Sequence, residues 1–422
     1  MKISVIIPMY NEEKIIGDTA KQVSEYMNET FGEGEFEVLF SNDGSLDNSA
    51  EAVSSLGLSG VRVVGYEKNR GKGCAVRTAM LEAKGDLVVF TDADLAYGTE
   101  VIGKLYESCT ANPDAKAPMV VFSGHMDTVH PVGSFDTPIV RREGDRMYGP
   151  GTTDCKGGVA ACFLALDALS TCGFKDRPVR IILQSDEEKS SMPSGKETIR
   201  FMCEKSKGAA AFLNAEGNSG DSVVIVRKGI LRLKLTVLGK AAHSAFCYNG
   251  ASSIAEAAHK ILELEKLKDP KGLTCNCGVI SGGSVGNVVA EKCEFIADIR
   301  FATLEQKDRA YELVRSLAST SFIEGTSCEI EEVSYRPPRE YSERNVELLK
   351  RMNEIYAECG LPELEGVSAN GGSDTAYVTM AEIPCVDSIG VRGGLIHNRG
   401  EYILVDSITE AAKRMASVAM FI

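Results

Sequence analysis

The segment VVFSGHMDTVHP, residues 120–131, ends a short apolar run with His125 and, two residues later, Asp127. The chain contains five histidines, and His125, His243 and His397 are the three with polar or small neighbours. A single histidine is more often structural than a ligand, so the carboxylates near these three decide how they are interpreted. Imidazole and carboxylate groups together are the donor set that suits zinc.

Carboxylates accumulate at the ends of other apolar runs. Glu187 and Glu188 end the run in ILQSDEEKSS, and Glu216 ends the run in FLNAEGN. Asp154 lies in YGPGTTDCKGG, a glycine-rich loop before a predicted helix, and His397 lies in GLIHNRGEY. Any one motif is more often a solvated turn, but the combination favours a metal site. One adjacent glutamate would ligate a metal while its neighbour stays free as a general base.

A second acidic site lies upstream, where Asp92 and Asp94 end the apolar run in VVFTDADLAYG. Two carboxylates with one residue between them can hold a hard divalent ion that bridges a diphosphate. Such a pair is a weak signal alone. It is stronger here because Asn11 and Asp43 also follow predicted strands of the same region.

The elements that must position these residues alternate between strand and helix. Residues 1 to about 110 contain four apolar strands separated by helical patterns, which predicts a parallel sheet with crossover helices. Sheets of this kind bind ligands beyond the carboxyl ends of their strands. After a polar, proline-containing break at 109–118, the same alternation resumes.

From about residue 221 the pattern changes to long β-rich runs with two helices, which predicts an inserted α+β domain over 221–334. The chain then returns to the second α/β region. We therefore expect an N-terminal unit at 1–112 and a catalytic domain formed by 116–220 together with 335–422.

Composition excludes several classes of protein. The net charge of −14 and the pI near 5.1 argue against a nucleic-acid partner. No stretch reaches the roughly 18 apolar residues of a membrane span, and the N-terminal run reads as a strand rather than a signal peptide. The 13 cysteines are scattered, and Cys275 and Cys277 do not have zinc-finger spacing. Reduced thiols and a cytoplasmic location are expected.

Residues 3 to about 108 resemble the nucleotide-sugar glycosyltransferases of the dolichyl-phosphate-mannose-synthase type, through SVIIPMYNEE, SNDGSLDNS, NRGKGCAVRTAM and TDADLAYG. The resemblance implies that Asp43 contacts the base, and that Asp92 and Asp94 contact the metal and diphosphate. The acceptor half of that family, with its activating carboxylate, has no counterpart here. This site is therefore interpreted as vestigial.

Residues from about 116 to the C-terminus resemble the dizinc aminoacylase and glutamate-carboxypeptidase family of metallopeptidases. The motifs that match are SGHMDTV, GPGTTDCKGG, SDEEKSS, GKAAHSA, ISGGSVGNVV and NGGSDTAY. The resemblance implies two Zn²⁺ per chain, for which Co²⁺ or Mn²⁺ could substitute. One zinc ion would take His125, Asp154 and Glu216, and the other Asp154, Glu188 and His397, so that Asp154 bridges them.

The same resemblance implies the chemistry. A hydroxide bridging the metals would attack the amide, with Glu187 as general base and Asp127 fixing the tautomer of His125. His243 would reach the site of a partner subunit and stabilise the oxyanion. The side chains of Asn287 and Arg300 and the turn at Gly371 and Gly372 would bind the amide and terminal carboxylate of the substrate.

The expected fold class is α/β: a Rossmann-like half-domain, then a truncated zinc-hydrolase domain with an inserted α+β dimerisation domain. The segment that precedes the GHMDT strand in the metallopeptidase family has no counterpart. The expected function is hydrolysis of an amide next to a carboxylate-bearing residue, by a carboxypeptidase, dipeptidase or N-acyl-amino-acid deacylase. The expected assembly is a homodimer through 221–334. The alternatives are a nucleotide-sugar glycosyltransferase or an inactive fusion remnant.

Overall fold

A computed structural model describes residues 2–96, 98–110, 117–131, 133–135, 137–218 and 220–422. The chain divides into two compact units, 1–114 and 115–422. The predicted junction between 112 and 116 falls in the segment 111–116, outside the described residues, so those domain limits stay a prediction. No helix in the described ranges is both long and apolar enough to cross a membrane.

The first unit is a parallel sheet with helices on both faces, as predicted. The strand order is β3-β2-β1-β4, and helix α3 packs on one face while α1 packs on the other. All seven residues of β1 are buried, which is why this strand is apolar except for Ser4 rather than alternating. The elements are β1 (Ile3–Met9), α1 (Ile16–Phe31), β2 (Phe36–Asp43), α2 (Ser49–Ser54), β3 (Val61–Tyr66), α3 (Lys72–Glu82), β4 (Leu87–Phe90) and α4 (Glu100–Thr110).

The second unit begins with the elements that carry most of the candidate site. Strand β5 is buried along its whole length, because helices cover both faces of its sheet. The elements are β5 (Val120–His125), β6 (Arg141–Glu143), β7 (Arg146–Tyr148), α5 (Gly157–Thr171), β8 (Val179–Gln184), α6 (Glu197–Lys205), β9 (Ala211–Asn214) and β10 (Ser222–Arg227).

The inserted α+β domain is an antiparallel sheet in the order β12-β13-β11-β14, with two helices packed on its apolar face. Residues alternate between buried and half-buried along β13, as a sheet covered on one side requires. The elements are β11 (Gly229–Leu238), α7 (Ser253–Leu264), β12 (Thr274–Gly282), β13 (Lys292–Phe301), α8 (Leu304–Ser319) and β14 (Ser327–Arg336).

The last segment returns to the catalytic domain and completes its sheets. Strand β16 extends a four-stranded parallel sheet of order β16-β9-β5-β8, and β17 and β18 join an antiparallel sheet of order β17-β18-β7-β6. The elements are α9 (Glu343–Glu358), β15 (Glu365–Ala369), α10 (Thr375–Met380), β16 (Cys385–Val386), β17 (Gly393–Gly394), β18 (Tyr402–Leu404) and α11 (Asp406–Phe421).

The β-rich run that starts near 221 is divided between two sheets. Strand β10 pairs in parallel with β15 of the last segment, whereas β11 pairs with β13 and β14 of the inserted domain. The division falls at Gly229, where a β-carbon would lie 2.2 Å from the ring of Phe301. Only a glycine has room beside that ring. Because Phe301 is distant in the sequence, no local pattern predicts this division.

Candidate metal centre and catalytic site

The carboxyl ends of three parallel strands bring the predicted metal-binding side chains together. His125 is the last residue of β5, the turn with Glu187 and Glu188 follows β8, and Glu216 follows β9. Because neighbouring parallel strands end at the same edge of the sheet, these side chains converge there. The loop before α5 brings Asp154 to this edge.

Asp154 lies at the centre of the cluster. Its Oδ1 is 2.9 Å from Nε2 of His125, and its Oδ2 is 3.0 Å from Nε2 of His397. Glu216 Oε1 lies 3.5 Å from the His125 ring nitrogen, and Glu188 Oε2 lies 3.4 Å from that of His397. The structure thus brings all five predicted ligands into two adjoining groups that share one carboxylate.

The cluster carries more negative charge than its surroundings balance. Burial and the charge of Asp154 raise the pKa of Glu188 to about 7 and that of Glu216 to about 8. Burial also acts to raise the pKa of Asp154, but the hydrogen bond from His125 holds it at about 2. Glu188 Oε1 is buried without a hydrogen-bond partner in the described chain. Crowded carboxylates with an unpartnered oxygen fit divalent cations.

Cys155 also lies beside His125, a neighbour that sequence reasoning missed. Its sulfur, with His125 and Glu216, forms one of the groups close enough to hold an ion. However, the thiol is already engaged with the backbone of His125, at 3.0 Å from the nitrogen and 3.4 Å from the oxygen. Burial raises the pKa of this thiol to about 12, which disfavours the thiolate that a metal needs.

Asp127 lies where the sequence analysis expects it, beside His125. Its Oδ1 is 3.3 Å from Nδ1 of the ring. The same carboxylate accepts hydrogen bonds from the backbone N–H groups of Glu187, at 3.3 Å, and Glu188, at 3.0 Å. Asp127 therefore contacts both the imidazole and the turn that carries the two glutamates.

Glu187, the predicted general base, is paired with a buried arginine. Arg336 Nη1 lies 2.8 Å from Glu187 Oε1, and its Nη2 donates to the backbone oxygen of Glu187 at 2.6 Å. Asp374 Oδ1 lies 3.1 Å from Arg336 Nε, and its Oδ2 accepts from Gln184 and Ser191 at 2.9 Å each. Burial raises the pKa of Glu187 to about 7 against the opposing charge of Arg336.

Asp374 lies in the motif NGGSDTAY, and neither it nor Arg336 has a role predicted from the sequence. Gly372, a predicted substrate-binding position, packs against this arginine: a β-carbon there would lie 2.9 Å from Arg336 Cδ. The backbone oxygen of Gly371 accepts a hydrogen bond from Arg227 at 3.3 Å. These glycines therefore lie near the Glu187 end of the cluster.

The predicted oxyanion-stabilising residue His243 and the other predicted substrate-binding residues, Asn287 and Arg300, lie in the inserted domain. His243 is exposed and forms an antiparallel β-bridge with Val288, and the backbone oxygen of Asn287 accepts from the N–H of Ser244 at 2.9 Å. Arg300 binds Asp298 through Nε at 2.6 Å. In the described part of the chain, no hydrogen bond or ion pair joins His243, Asn287 or Arg300 to the metal cluster.

The upstream acidic site forms a separate cavity of about 550 Å³ in the first unit, lined by Asp43, Asp92 and Asp94 among others. Asp43 is buried and accepts hydrogen bonds from Tyr66 Oη at 2.6 Å and from the backbone of Arg70 at 2.8 Å. Asp92 forms an ion pair with a lysine of α3. The structure thus brings the three predicted carboxylates to one cavity.

A histidine–carboxylate cluster at the carboxyl edge of a parallel sheet, with an inserted α+β domain, defines a metal-dependent hydrolase. The chain belongs to peptidase family M20/M25/M40, whose model matches residues 121–420, and the predicted family resemblance is confirmed. It is a metallopeptidase or related amidohydrolase. Residues 4–167 match the glycosyl transferase family 2 model, which runs past the predicted limit near 108 into the second unit.

Individual relatives agree with this assignment. Carboxypeptidase G2 from Pseudomonas sp. (strain RS-16) is 27% identical over 372 residues, covering 85% of this chain and 87% of that protein. A tripeptidase structure from Staphylococcus aureus has a TM-score of 0.60 at 22% identity, covering 73% and 82% of the two chains, and so supports the fold.

The uncharacterized glycosyltransferase YkcC from Bacillus subtilis (strain 168) is 34% identical over 109 residues, which is 25% of this chain and 33% of that protein.

Proposed function

We propose that the chain is a dizinc hydrolase that cleaves an amide or peptide bond next to a carboxylate-bearing residue. One observation carries the proposal: the two oxygens of Asp154 contact His125 and His397 separately, at 2.9 and 3.0 Å. A carboxylate between two imidazoles, each with its own glutamate, is suited to bridge two metal ions. The name of the relative carboxypeptidase G2 supports the substrate class.

The donor set fits zinc, with Co²⁺ or Mn²⁺ as substitutes. His125, Asp154 and Glu216 would hold one ion, and Asp154, Glu188 and His397 the other. When bound, the two ions supply Lewis-acid activation of a water molecule and of the scissile carbonyl. Their charge would also balance the crowded carboxylates, including the unpartnered oxygen of Glu188.

Glu187 is the residue proposed to transfer protons. It would take the proton of the attacking water and deliver it to the leaving amine. Arg336, 2.8 Å from the Glu187 carboxylate, limits the directions in which that carboxylate can point. Asp127, through Nδ1 of His125, would fix the tautomer in which Nε2 is free to face a metal.

Substrate binding would use residues from both parts of the second unit. The Gly371–Gly372 turn lies near the Glu187 end of the cluster, and Asn287 and Arg300 are the proposed ligands of the amide and terminal carboxylate. His243 and Asn287 lie on adjoining segments of the inserted domain. We propose that His243 serves the site of a partner subunit, because it is exposed and does not contact its own cluster.

The proposed homodimer interface is the outer edge of the inserted domain. Strand β12 is the last strand of its sheet. In the described chain, its first residues pair on the outer side with the segment 267–269, and no strand pairs with the rest of that side. Val279, Ile280 and Val285 near that edge are 61%, 51% and 58% exposed, and Leu262 of α7 is 65% exposed. An unpaired edge with adjoining apolar side chains favours a symmetric partner.

The test combines metal analysis with matched substrates. Mass spectrometry of the native chain should find about two zinc ions per chain. Hydrolysis of an N-acyl amino acid or dipeptide should be abolished by a chelator and restored by zinc. The corresponding C-terminal carboxamides serve as the matched control and should be poor substrates. Equal hydrolysis of acid and amide would contradict the substrate class, and the absence of metal would contradict the mechanism.

A second candidate function rests on the cavity lined by Asp43, Asp92 and Asp94: binding of a nucleotide-sugar by the first unit. We expect binding without transfer, because the sequence shows no counterpart of the carboxylate that activates the acceptor hydroxyl in that family. The double change Asp92→Ala with Asp94→Ala should abolish calorimetric binding of a nucleotide-sugar with Mn²⁺ and leave hydrolysis untouched. Transfer from a nucleotide-sugar to a lipid phosphate, lost in the double variant, would show instead that this unit is a working transferase.

A further inference from the structure

Glu401 lies four residues after His397 and is only 1% exposed. Its side chain accepts three backbone hydrogen bonds from the loop that carries Asp154. Oε1 accepts from the N–H groups of Thr153 at 2.8 Å and Asp154 at 2.9 Å, and Oε2 accepts from that of Gly151 at 2.9 Å. Successive backbone N–H groups converging on a carboxylate form a strong anion-binding arrangement, which here is occupied by the chain itself.

Backbone hydrogen bonds around Glu401 add to this connection with the Asp154 loop. The Glu401 carbonyl accepts from Gly149 N–H at 3.2 Å, and the carbonyl of Tyr402 accepts from Thr153 Oγ1 at 2.6 Å. On its other side, Glu401 N–H donates to Asn398 O at 3.0 Å, which closes the turn that follows His397. Two loops that are far apart in sequence therefore share one buried carboxylate.

We propose that Glu401 is a positioning residue that joins the Asp154 loop to the His397 loop, so that the two metal positions form together. This inference rests on the proposed function, because it assumes that Asp154 and His397 bind metal. Glu401 is not itself a ligand: both of its oxygens face backbone N–H groups. By fixing the backbone N–H of Asp154, it fixes the residue whose side-chain oxygens reach His125 and His397.

Glu401→Gln isolates the role of the carboxylate. Glutamine keeps the size of the side chain but replaces one acceptor oxygen with an N–H donor. That donor would face one of the three loop N–H groups, a repulsive contact in a buried site. Changes in residues that orient metal ligands typically lower metal affinity by about 10- to 100-fold, and we expect a loss of that size at both metal positions.

The experiment uses the full chain, stripped of metal, and has two readouts. Calorimetric titration with Zn²⁺ measures affinity, and hydrogen exchange of the metal-free chain measures protection of residues 149–156. Glu401→Gln should lower zinc affinity at both positions and speed exchange in this segment. Glu401→Asp keeps the charge but withdraws the carboxylate by one methylene, so it should shift both readouts less, in the same direction.

Glu256→Gln is the matched control. Glu256 is a buried glutamate of the inserted domain whose Oε2 accepts from Ile323 N–H at 2.7 Å. Its variant should lower thermal stability but leave zinc affinity and the protection of 149–156 unchanged. Parent-like zinc affinity in Glu401→Gln, or in Glu401→Asp if the first variant does not fold, would overturn the proposal. A parent chain that binds no zinc would refute the proposed function, while the exchange data would still decide whether Glu401 joins the loops.

Discussion

At the scale of single residues, Asp154 is the side chain that both proposed metal positions share. Its oxygens contact His125 and His397 separately. We predict that His125→Ala removes one zinc ion, His397→Ala removes the other, and Asp154→Ala removes both. Mass spectrometry of the native chains measures the content directly. Parent-like metal content in Asp154→Ala would count against the shared ligand.

Glu187 gives the second prediction at this scale. Glu187→Gln preserves the shape of the side chain but removes its negative charge and, with it, the ability to accept a proton. It should retain both metals and lower kcat by about 10²- to 10⁴-fold, the usual contribution of a general base. Arg336 would still pair with Asp374, at 3.1 Å, so its charge stays compensated and the chain should still fold. Steady-state kinetics with metal content measured on the same samples is the check, and activity within about tenfold of the parent would exclude the role.

At the scale of elements, Asp387 holds several segments of the catalytic domain together. It follows β16 and accepts from Asn214, the last residue of β9, at 2.9 Å and from Thr375 of α10 at 2.8 Å. It also pairs with Arg227 at the end of β10, at 2.7 Å, and lies 3.9 Å from the buried Arg339. Removing one partner of a buried ion pair leaves the other charge uncompensated.

We predict that Asp387→Asn lowers the free energy of unfolding by about 3–5 kcal/mol at neutral pH. Burial acts to raise the pKa of Asp387, but the charges of Arg227 and Arg339 hold it below its usual value. A depressed pKa in the folded state stabilises the fold above the pKa of the unfolded chain, about 3.9, and that contribution is lost as pH falls.

Denaturant unfolding at several pH values measures this effect. The difference between parent and Asp387→Asn should be largest near neutral pH and should shrink below about pH 4. Asp167→Asn is the control, because Asp167 is an exposed acid on α5. A difference that does not change with pH would show that Asp387 acts through packing rather than through its charge.

At the scale of the whole molecule, the proposed dimer places His243 of one chain at the cluster of the other. Inactive His243→Ala chains mixed with inactive Glu187→Gln chains should then regain activity. Each mixed dimer contains one site with an intact base and an intact borrowed histidine. After random exchange, about one quarter of the parent activity is expected, because half of the dimers are mixed and each has one working site.

The control for this test is a chain that carries both His243→Ala and Glu187→Gln. Its activity is measured alone and after mixing with the parent chain. Subunit exchange is followed with differently tagged chains. No recovery despite exchange would mean that His243 acts within its own chain or not at all. A monomer in solution would contradict the interface proposed along β12.

The sequence by itself determined the parallel α/β organisation and the inserted α+β domain, because periodicity is local. The five residues of the candidate metal cluster were predicted from the family resemblance, because the motifs that carry it are short and continuous in the chain. The tertiary structure alone showed Arg336 against Glu187, 149 residues apart, and Glu401 against Asp154, 247 residues apart. It also divided β10 from β11 at Gly229, next to Phe301. These are single contacts between distant segments, which leave no repeating pattern in the chain, so only the folded arrangement of buried charges and rings decides them.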